Sequence, residues 1–273
     1  MIARVLGPLR VTVNGTSVVP TAVKARKLMA MLVLNRGRVV QRATIERELW
    51  DLDAPRSAST GIQNCVMWIR KGIGCAEQGD PGRAARQTLI TEPTGYRLEV
   101  PGDQFDVVRH QRLVAQAGAA EARGDLAEAS ALLNAALNLW RDAPLADVPA
   151  GPVLRAHVRR LEEDRKAVLA QRLALDLRLH RYAEVVGELH ALVSLDPYDE
   201  VLHEYLMLAL YLSGRRNDAL TAYQQARTAL ADGVGLEPSH RLRGLQERIL
   251  ASDEAPAAAL PGWPGLVPEP VRV

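Results

Sequence analysis

Aromatic residues are scarce in this 273-residue chain, where they make up 4% and include a single phenylalanine. A core with so few aromatics must be filled by Leu, Val and Ala, which favours packed helices over a β-sandwich. Hydrophobic residues at 48% and charged residues at 24% are typical of a soluble globular protein. The length favours two domains over one.

Cysteine is almost absent, since only Cys65 and Cys75 occur. Their number and spacing suggest neither a disulfide framework nor a zinc site, so we expect reduced thiols. The first six residues have no long apolar region, and the longest apolar runs, Leu28–Leu34 and Leu206–Leu212, are too short to span a bilayer. We therefore predict a cytoplasmic protein with no membrane partner.

Catalytic motifs are also missing. The sequence contains no GxxxxGK(S/T), GxGxxG, HExxH or GxSxG pattern. Its six histidines are scattered over predicted helices and suggest no metal site. These absences indicate that the protein is not an enzyme, and they predict no catalytic residues, no metal and no cofactor.

The sequence does have an uneven distribution of charge. Residues 1–100 carry 15 Lys and Arg against 8 Asp and Glu, whereas residues 101–273 carry 19 against 24. A basic first part joined to an acidic second part suggests that the first part meets a polyanion such as DNA.

The first hundred residues alternate strand-like and helical patterns. β-Branched and apolar residues around the turn Asn14-Gly15 predict three strands, Ala3–Leu6, Leu9–Val13 and Ser17–Val19. Apolar periodicity then predicts three helices, Ala22–Asn35, Ala43–Trp50 and Ser59–Lys71. A loop over 72–86 is expected next, followed by a hairpin of strands Gln87–Thr91 and Tyr96–Val100. This order of elements indicates a winged helix-turn-helix.

The rest of the chain is helical almost to its end. Two similar turns, which begin at His180 and Gly214, lie 34 residues apart, the period of tetratricopeptide-type helical hairpins. We therefore predict a mainly α protein with a small β component. Its parts are a winged helix DNA-binding domain at 1–104, an all-α tetratricopeptide-like repeat domain at 105–252 and a Pro/Ala-rich disordered tail at 253–273. The predicted helices of the repeat domain are Val107–Ala122, Leu126–Leu139, Val153–Leu179, Ala183–Leu195, Glu200–Ser213, Asn217–Ala231 and His240–Leu250.

The polar side of the third predicted helix carries groups that can read bases. In the major groove, side-chain amides suit adenine and Arg suits guanine. At the start of the second helix, a cation and backbone N–H groups can hold a phosphate, and the hairpin can reach the backbone or the minor groove. The candidate DNA-binding residues are Arg42, Thr60, Asn64, Met67, Trp68, Arg70, Lys71, Thr94 and Arg97.

Short motifs over roughly residues 2–251 resemble the Streptomyces antibiotic regulatory protein (SARP) family. In the first half, Leu6-Gly7-Pro8-Leu9, Glu48-Leu49-Trp50 and Pro93-Thr94-Gly95-Tyr96-Arg97-Leu98 resemble an OmpR-type winged helix. The second half resembles the bacterial transcriptional activator domain, on the motifs Leu139-Trp140-Arg141, Ser213-Gly214-Arg215 and Gly235-Leu236-Glu237-Pro238.

The resemblance implies a transcription activator of secondary-metabolite genes, such as those for antibiotic biosynthesis. It implies binding to direct repeats in double-stranded promoter DNA as a side-by-side homodimer. It also implies recruitment of RNA polymerase, with contacts to the sigma factor. Met67 and Trp68 stand where the family has polar or basic residues that face the groove.

A protein-interaction scaffold is the alternative, because helical repeats mostly bind peptides or proteins. In that interpretation, Met67 and Trp68 have weakened or abolished DNA binding. Salt dependence separates the two functions, because a protein that neutralises DNA phosphates releases counterions and loses affinity steeply as salt rises.

Overall fold

The computed structural model describes residues 1–77 and 80–251. They fall into two compact units. The first unit comprises Met1–Ala115 and Ala135–Lys166, and the second comprises Gln116–Asn134 and the described chain from Ala167 onward. The predicted disordered tail at 253–273 lies outside the described residues. The predicted domain boundary between residues 104 and 105 stays a prediction.

Two small antiparallel sheets frame the first unit. Strands β1 (Ile2–Arg4), β2 (Arg10–Val13) and β3 (Thr16–Ser17) form one sheet in that order. In the second sheet, β6 (Gly95–Leu98) lies between β4 (Val40–Gln41) and β5 (Leu89–Glu92). The β2–β3 turn has positive φ at Asn14 and Gly15, as the hairpin pattern predicts.

The three helices predicted for the first unit are present as α1 (Val23–Leu34), α2 (Arg42–Trp50) and α3 (Ala58–Ala76). The apolar stripe of α3 is buried as expected, because Ile62, Ile69 and Ile73 are each at most 1% exposed. The opposite side of this helix is therefore the one that remains accessible.

The predicted loop over 72–86 is wrong. Helix α3 continues to Ala76, and a further helix, α4, spans Pro81–Thr88. The Asp80 side chain caps α4 by accepting hydrogen bonds from the backbone N–H groups of Gly82 and Arg83, and Pro81 at the first helical position suits the helical φ. The glycines in this stretch suggested a loop, whereas Asp80-Pro81 is a helix-start signal.

A buried carboxylate ties α2 to a helix much later in the chain. Glu48 is 1% exposed, and it accepts hydrogen bonds from the backbone N–H groups of Gly151, Val153 and Leu154 at 2.5–2.9 Å. These donors lie at the start of α7, which spans Pro152–Arg178. A negative charge at this end of a helix also complements the helix dipole. Glu48 therefore fixes α2 within the first unit.

A second carboxylate makes a similar long-range connection. Asp106 accepts hydrogen bonds from the backbone N–H groups of Val5 and Leu6 at 2.9–3.0 Å, and the Arg141 guanidinium lies 3.6 Å away. Burial raises the pKa of Asp106, while the hydrogen bonds and Arg141 act against that rise. The start of the chain is thus held by residues more than a hundred positions later.

The described chain from Asp106 onward forms long helices, as predicted. Their bounds are α5 (Asp106–Ala122), α6 (Leu126–Leu137), α7 (Pro152–Arg178), α8 (Tyr182–Leu195), α9 (Glu200–Leu212), α10 (Arg216–Val234) and α11 (His240–Ala251). The mainly α fold class with a small β component is confirmed. Among the described residues, no helix is both long and apolar enough to cross a membrane.

Three turns of the second unit share one backbone geometry. Gly124, His180 and Gly214 each have φ between 59° and 83°. The next residue in each case donates its backbone N–H to a carbonyl five positions earlier: Asp125 to Ala120, Arg181 to Asp176 and Arg215 to Leu210. This is the hydrogen bond of a Schellman helix end. The similar turns noted in the sequence at His180 and Gly214 therefore share one structure, which a third turn at Gly124 also has.

We predict that Glu48→Gln lowers the free energy of unfolding by about 1–3 kcal/mol, because an amide cannot accept all three buried N–H bonds. Urea unfolding measures the change. The control is Glu46→Gln on the same helix, where no hydrogen bond of the side chain occurs among the described residues. Equal stability of the two variants would contradict the role given to Glu48.

Candidate nucleic-acid interface

The accessible side of α3 carries most of the predicted DNA-binding residues. Met67 is 54% exposed and Trp68 is 52% exposed, and the Lys71 ammonium lies 5.5 Å from the Trp68 ring centroid. Exposed large apolar side chains on one helix face are typical of an interaction site. The exposed residues on this side are Thr60, Gln63, Asn64, Met67, Trp68 and Lys71.

Four predicted residues line one groove. The groove has a volume of about 720 Å³ and lies between α3, α4 and the β5–β6 hairpin. Arg42 borders it from the start of α2, and Met67, Arg70 and Lys71 border it from α3. Its lining also contains Arg86 and, among residues 1–77 and 80–251, includes no Asp or Glu. The groove is therefore strongly cationic.

Arg70 connects α3 to the hairpin. Its guanidinium donates to the carbonyl of Leu89 from Nε at 3.1 Å and from Nη2 at 2.7 Å. Nη2 also donates to the Thr91 hydroxyl at 2.8 Å. Because these donors are directed at β5, Arg70 sets the distance between the helix and the hairpin.

The tip of the hairpin lies beside the start of α2. Pro93 and Thr94 form an exposed turn, and the Arg42 backbone N–H donates to the Thr94 carbonyl at 3.0 Å. Next in the chain, Gly95 pairs with Gln41 between β6 and β4. The structure thus brings Thr94 close to the main chain of Arg42.

Arg97 is placed differently from the other candidates. Its guanidinium pairs with Glu92 at 3.0 Å and also with Glu99, so its charge is offset within the hairpin. Along β6, side chains alternate between the two faces of the strand. Tyr96 lines the groove, so Arg97 lies on the opposite face.

Arg86 and Tyr96 are among the groove residues that are missing from the set predicted by sequence. Arg86 lies on α4, which was predicted as loop, and Tyr96 was treated only as a strand residue. The Asp80-Pro81 helix start could have indicated α4. No local signal could have placed Tyr96 in the groove, because that position depends on the pairing of β6 with β4.

Two family models match the chain. Residues 16–98 match the family described as "Transcriptional regulatory protein, C terminal". Residues 105–250 match the "Bacterial transcriptional activator domain".

Similarity to known transcriptional regulators extends over at least 92% of this chain. The chain is 41% identical over 262 residues to the regulatory protein DnrI of Streptomyces peucetius, covering 93% of this chain and 96% of DnrI. It is 37% identical to the regulatory protein AfsR of Streptomyces coelicolor, but covers only 24% of that longer protein. The solved structure of Mycobacterium tuberculosis EmbR in complex with a low affinity phosphopeptide is similar with a TM-score of 0.82 at 36% identity. That similarity covers 92% of this chain and 65% of EmbR.

We predict that Gly95→Ala distorts the hairpin, because an added Cβ would overlap the Val40 carbonyl oxygen across the β4–β6 pairing. Such overpacking costs about 1–3 kcal/mol of folding stability. Thermal unfolding measures the loss. Gly118→Ala is the control, because its added Cβ meets no atom within 4 Å, and a helical Gly→Ala change is expected to stabilise. A Gly95→Ala protein as stable as the wild type would refute the packing role of this glycine.

Proposed function

Because the chain belongs to the Streptomyces antibiotic regulatory protein family of DNA-binding transcription activators, we propose that it activates biosynthetic genes for a secondary metabolite. In this proposal the protein binds direct repeats upstream of promoters and recruits RNA polymerase. Similarity over 96% of DnrI supports a role for the whole chain as a regulator, since the aligned part is nearly the full relative.

The proposal rests mainly on the difference in burial between the two sides of α3. Its apolar side is buried, while its other side is exposed and rich in groups suited to base edges. An α-helix fits the major groove, where the Asn64 amide suits adenine and Met67 can contact a thymine methyl. We therefore assign the exposed α3 side chains to the major groove, namely Thr60, Asn64, Met67, Trp68 and Lys71.

The remaining candidates take supporting places in this proposal. Arg42 holds a backbone phosphate, and Thr94 with Arg97 forms the part of the hairpin nearest the minor groove. To contact DNA, Arg97 must exchange Glu92 or Glu99 for a phosphate. Arg70 lies at the edge of the helix, where its hydrogen bonds to β5 keep the hairpin beside α3.

Assembly and polymerase contact complete the proposed mechanism. Two copies side by side would match two direct repeats, because neighbouring copies then have the same orientation on the DNA. We assign contacts with RNA polymerase, including the sigma factor, to the acidic part of the chain. Its 19 Lys and Arg against 24 Asp and Glu make it unsuited to lie along DNA.

Selection of binding sites from random duplexes tests the function directly. We expect the selected duplexes to carry two copies of one short sequence in the same orientation. The affinity of the protein for these duplexes should fall steeply as salt rises. Transcription with purified polymerase from a promoter that carries the selected repeats should then increase when the protein is added. Absence of salt-sensitive DNA binding by the folded wild-type protein would reject the proposal and favour a scaffold.

We predict that Asn64→Ala costs about 1–3 kcal/mol of affinity for the selected sequence and relaxes preference at one position of each repeat. Binding to mixed-sequence DNA should change much less. Fluorescence anisotropy with both duplexes measures the difference. Gln111→Ala, an exposed amide on α5, is the control and should leave both affinities unchanged. An Asn64→Ala protein with intact sequence preference would remove this residue from the reading surface.

A further inference from the structure

The groove between α3 and the hairpin has a fixed place relative to DNA if the proposed function holds. Each phosphate strand separates a major groove from a minor groove. A protein with α3 in the major groove and the hairpin at the adjacent minor groove must therefore span one strand. The surface that faces this strand is the cationic groove that α4 completes.

We propose that α4 is an additional DNA-binding element, in which Arg86 binds a phosphate of the strand that lies between α3 and the hairpin. Arg42, to which the proposed function already assigns a backbone phosphate, lines the same groove. This inference rests on the proposed function and adds to it a contact from an element outside the helix-turn-helix and its wing.

The charges of the groove support a phosphate as its ligand. Arg42, Lys71 and Arg86 are exposed, and among the described residues none of these side chains forms an ion pair or a hydrogen bond. Arg70 differs, because its donors are directed at β5. Within the part of the chain that the structure describes, no carboxylate lines the groove to offset the three cations. A polyanion therefore gains attraction to Arg42 and Arg86 without displacing an internal partner, whereas the Lys71 ammonium also lies 5.5 Å from the Trp68 ring centroid.

The position of Arg86 is fixed by packing. Its neighbour Ala85 is 3% exposed and belongs to the core of the first unit. At the other end of α4, Pro81 lies so close to Gly74 of α3 that an added Cβ on this glycine would come within 2.9 Å of the Pro81 carbonyl oxygen. Since α4 is anchored at both ends, it can present Arg86 at a set position with little loss of backbone entropy on binding.

Salt dependence distinguishes a phosphate contact from other contributions to affinity. Removing one phosphate contact should lower the magnitude of the slope of log affinity against log salt by about 1. The loss should be similar on any sequence, because phosphates carry no base information. At 0.1 M salt, one lost contact corresponds to roughly a five- to tenfold weaker affinity.

The experiment uses the full chain and two duplexes, one with the selected repeats and one of mixed sequence. Arg86→Ala should lower the slope and weaken binding to both duplexes by a similar factor, whereas Arg86→Lys should keep the slope because it keeps the charge. Arg83→Ala is the matched control, since Arg83 is an exposed arginine of the same helix that does not line the groove. Circular dichroism verifies that each variant is folded.

The results separate this inference from the function on which it rests. An unchanged slope for Arg86→Ala, or an equal loss for Arg83→Ala, would overturn the α4 contact and leave base reading by α3 in place. A loss confined to the selected repeats would also overturn it, because that pattern belongs to a base contact. If the wild-type protein binds neither duplex, the contact and the proposed function both fail.

Discussion

The burial of one side of α3 is the constraint on which the interface depends. Ile62, Ile69 and Ile73 are removed from water, and this burial favours a single orientation of the helix about its axis. Polar and exposed apolar side chains on the other side are then available to a ligand without unfolding. A helix free to rotate would lose this preference, and base reading requires groups held in a set geometry.

The hairpin is held just as firmly at a set distance from the helix. Arg70 reaches from α3 to β5, and Gly95 permits β6 to approach β4 so closely that a side chain could not be accommodated. These two contacts define the width of the groove that α4 closes on its third side. Buried carboxylates at Glu48 and Asp106 then bind this assembly to residues beyond the winged helix. The proposed DNA-binding surface therefore depends on packing that extends well past residue 104.

Much of this architecture could be predicted from the sequence, because periodicity and turn residues are local signals. The helices from Asp106 onward agree within a few residues, and Asn14-Gly15 correctly marks a hairpin. Helix α4 was missed because glycines outweighed the Asp80-Pro81 start signal. Arg70 is bound to Leu89 and Thr91, which lie 19 and 21 residues later in the chain. Arg97 pairs with Glu92 and Glu99 within the hairpin. Exposure alone could not distinguish a free cation from one that is paired in these ways.

Hydrogen–deuterium exchange of the full chain, with and without a duplex that carries the selected repeats, tests most directly whether α3 is the reading element. We expect slower exchange over residues 60–71 and 94–97 when DNA is bound, and a smaller change over the helices from Tyr182 to Ala251. Protection confined to those later helices, with α3 exchanging as in the free protein, would contradict this expectation.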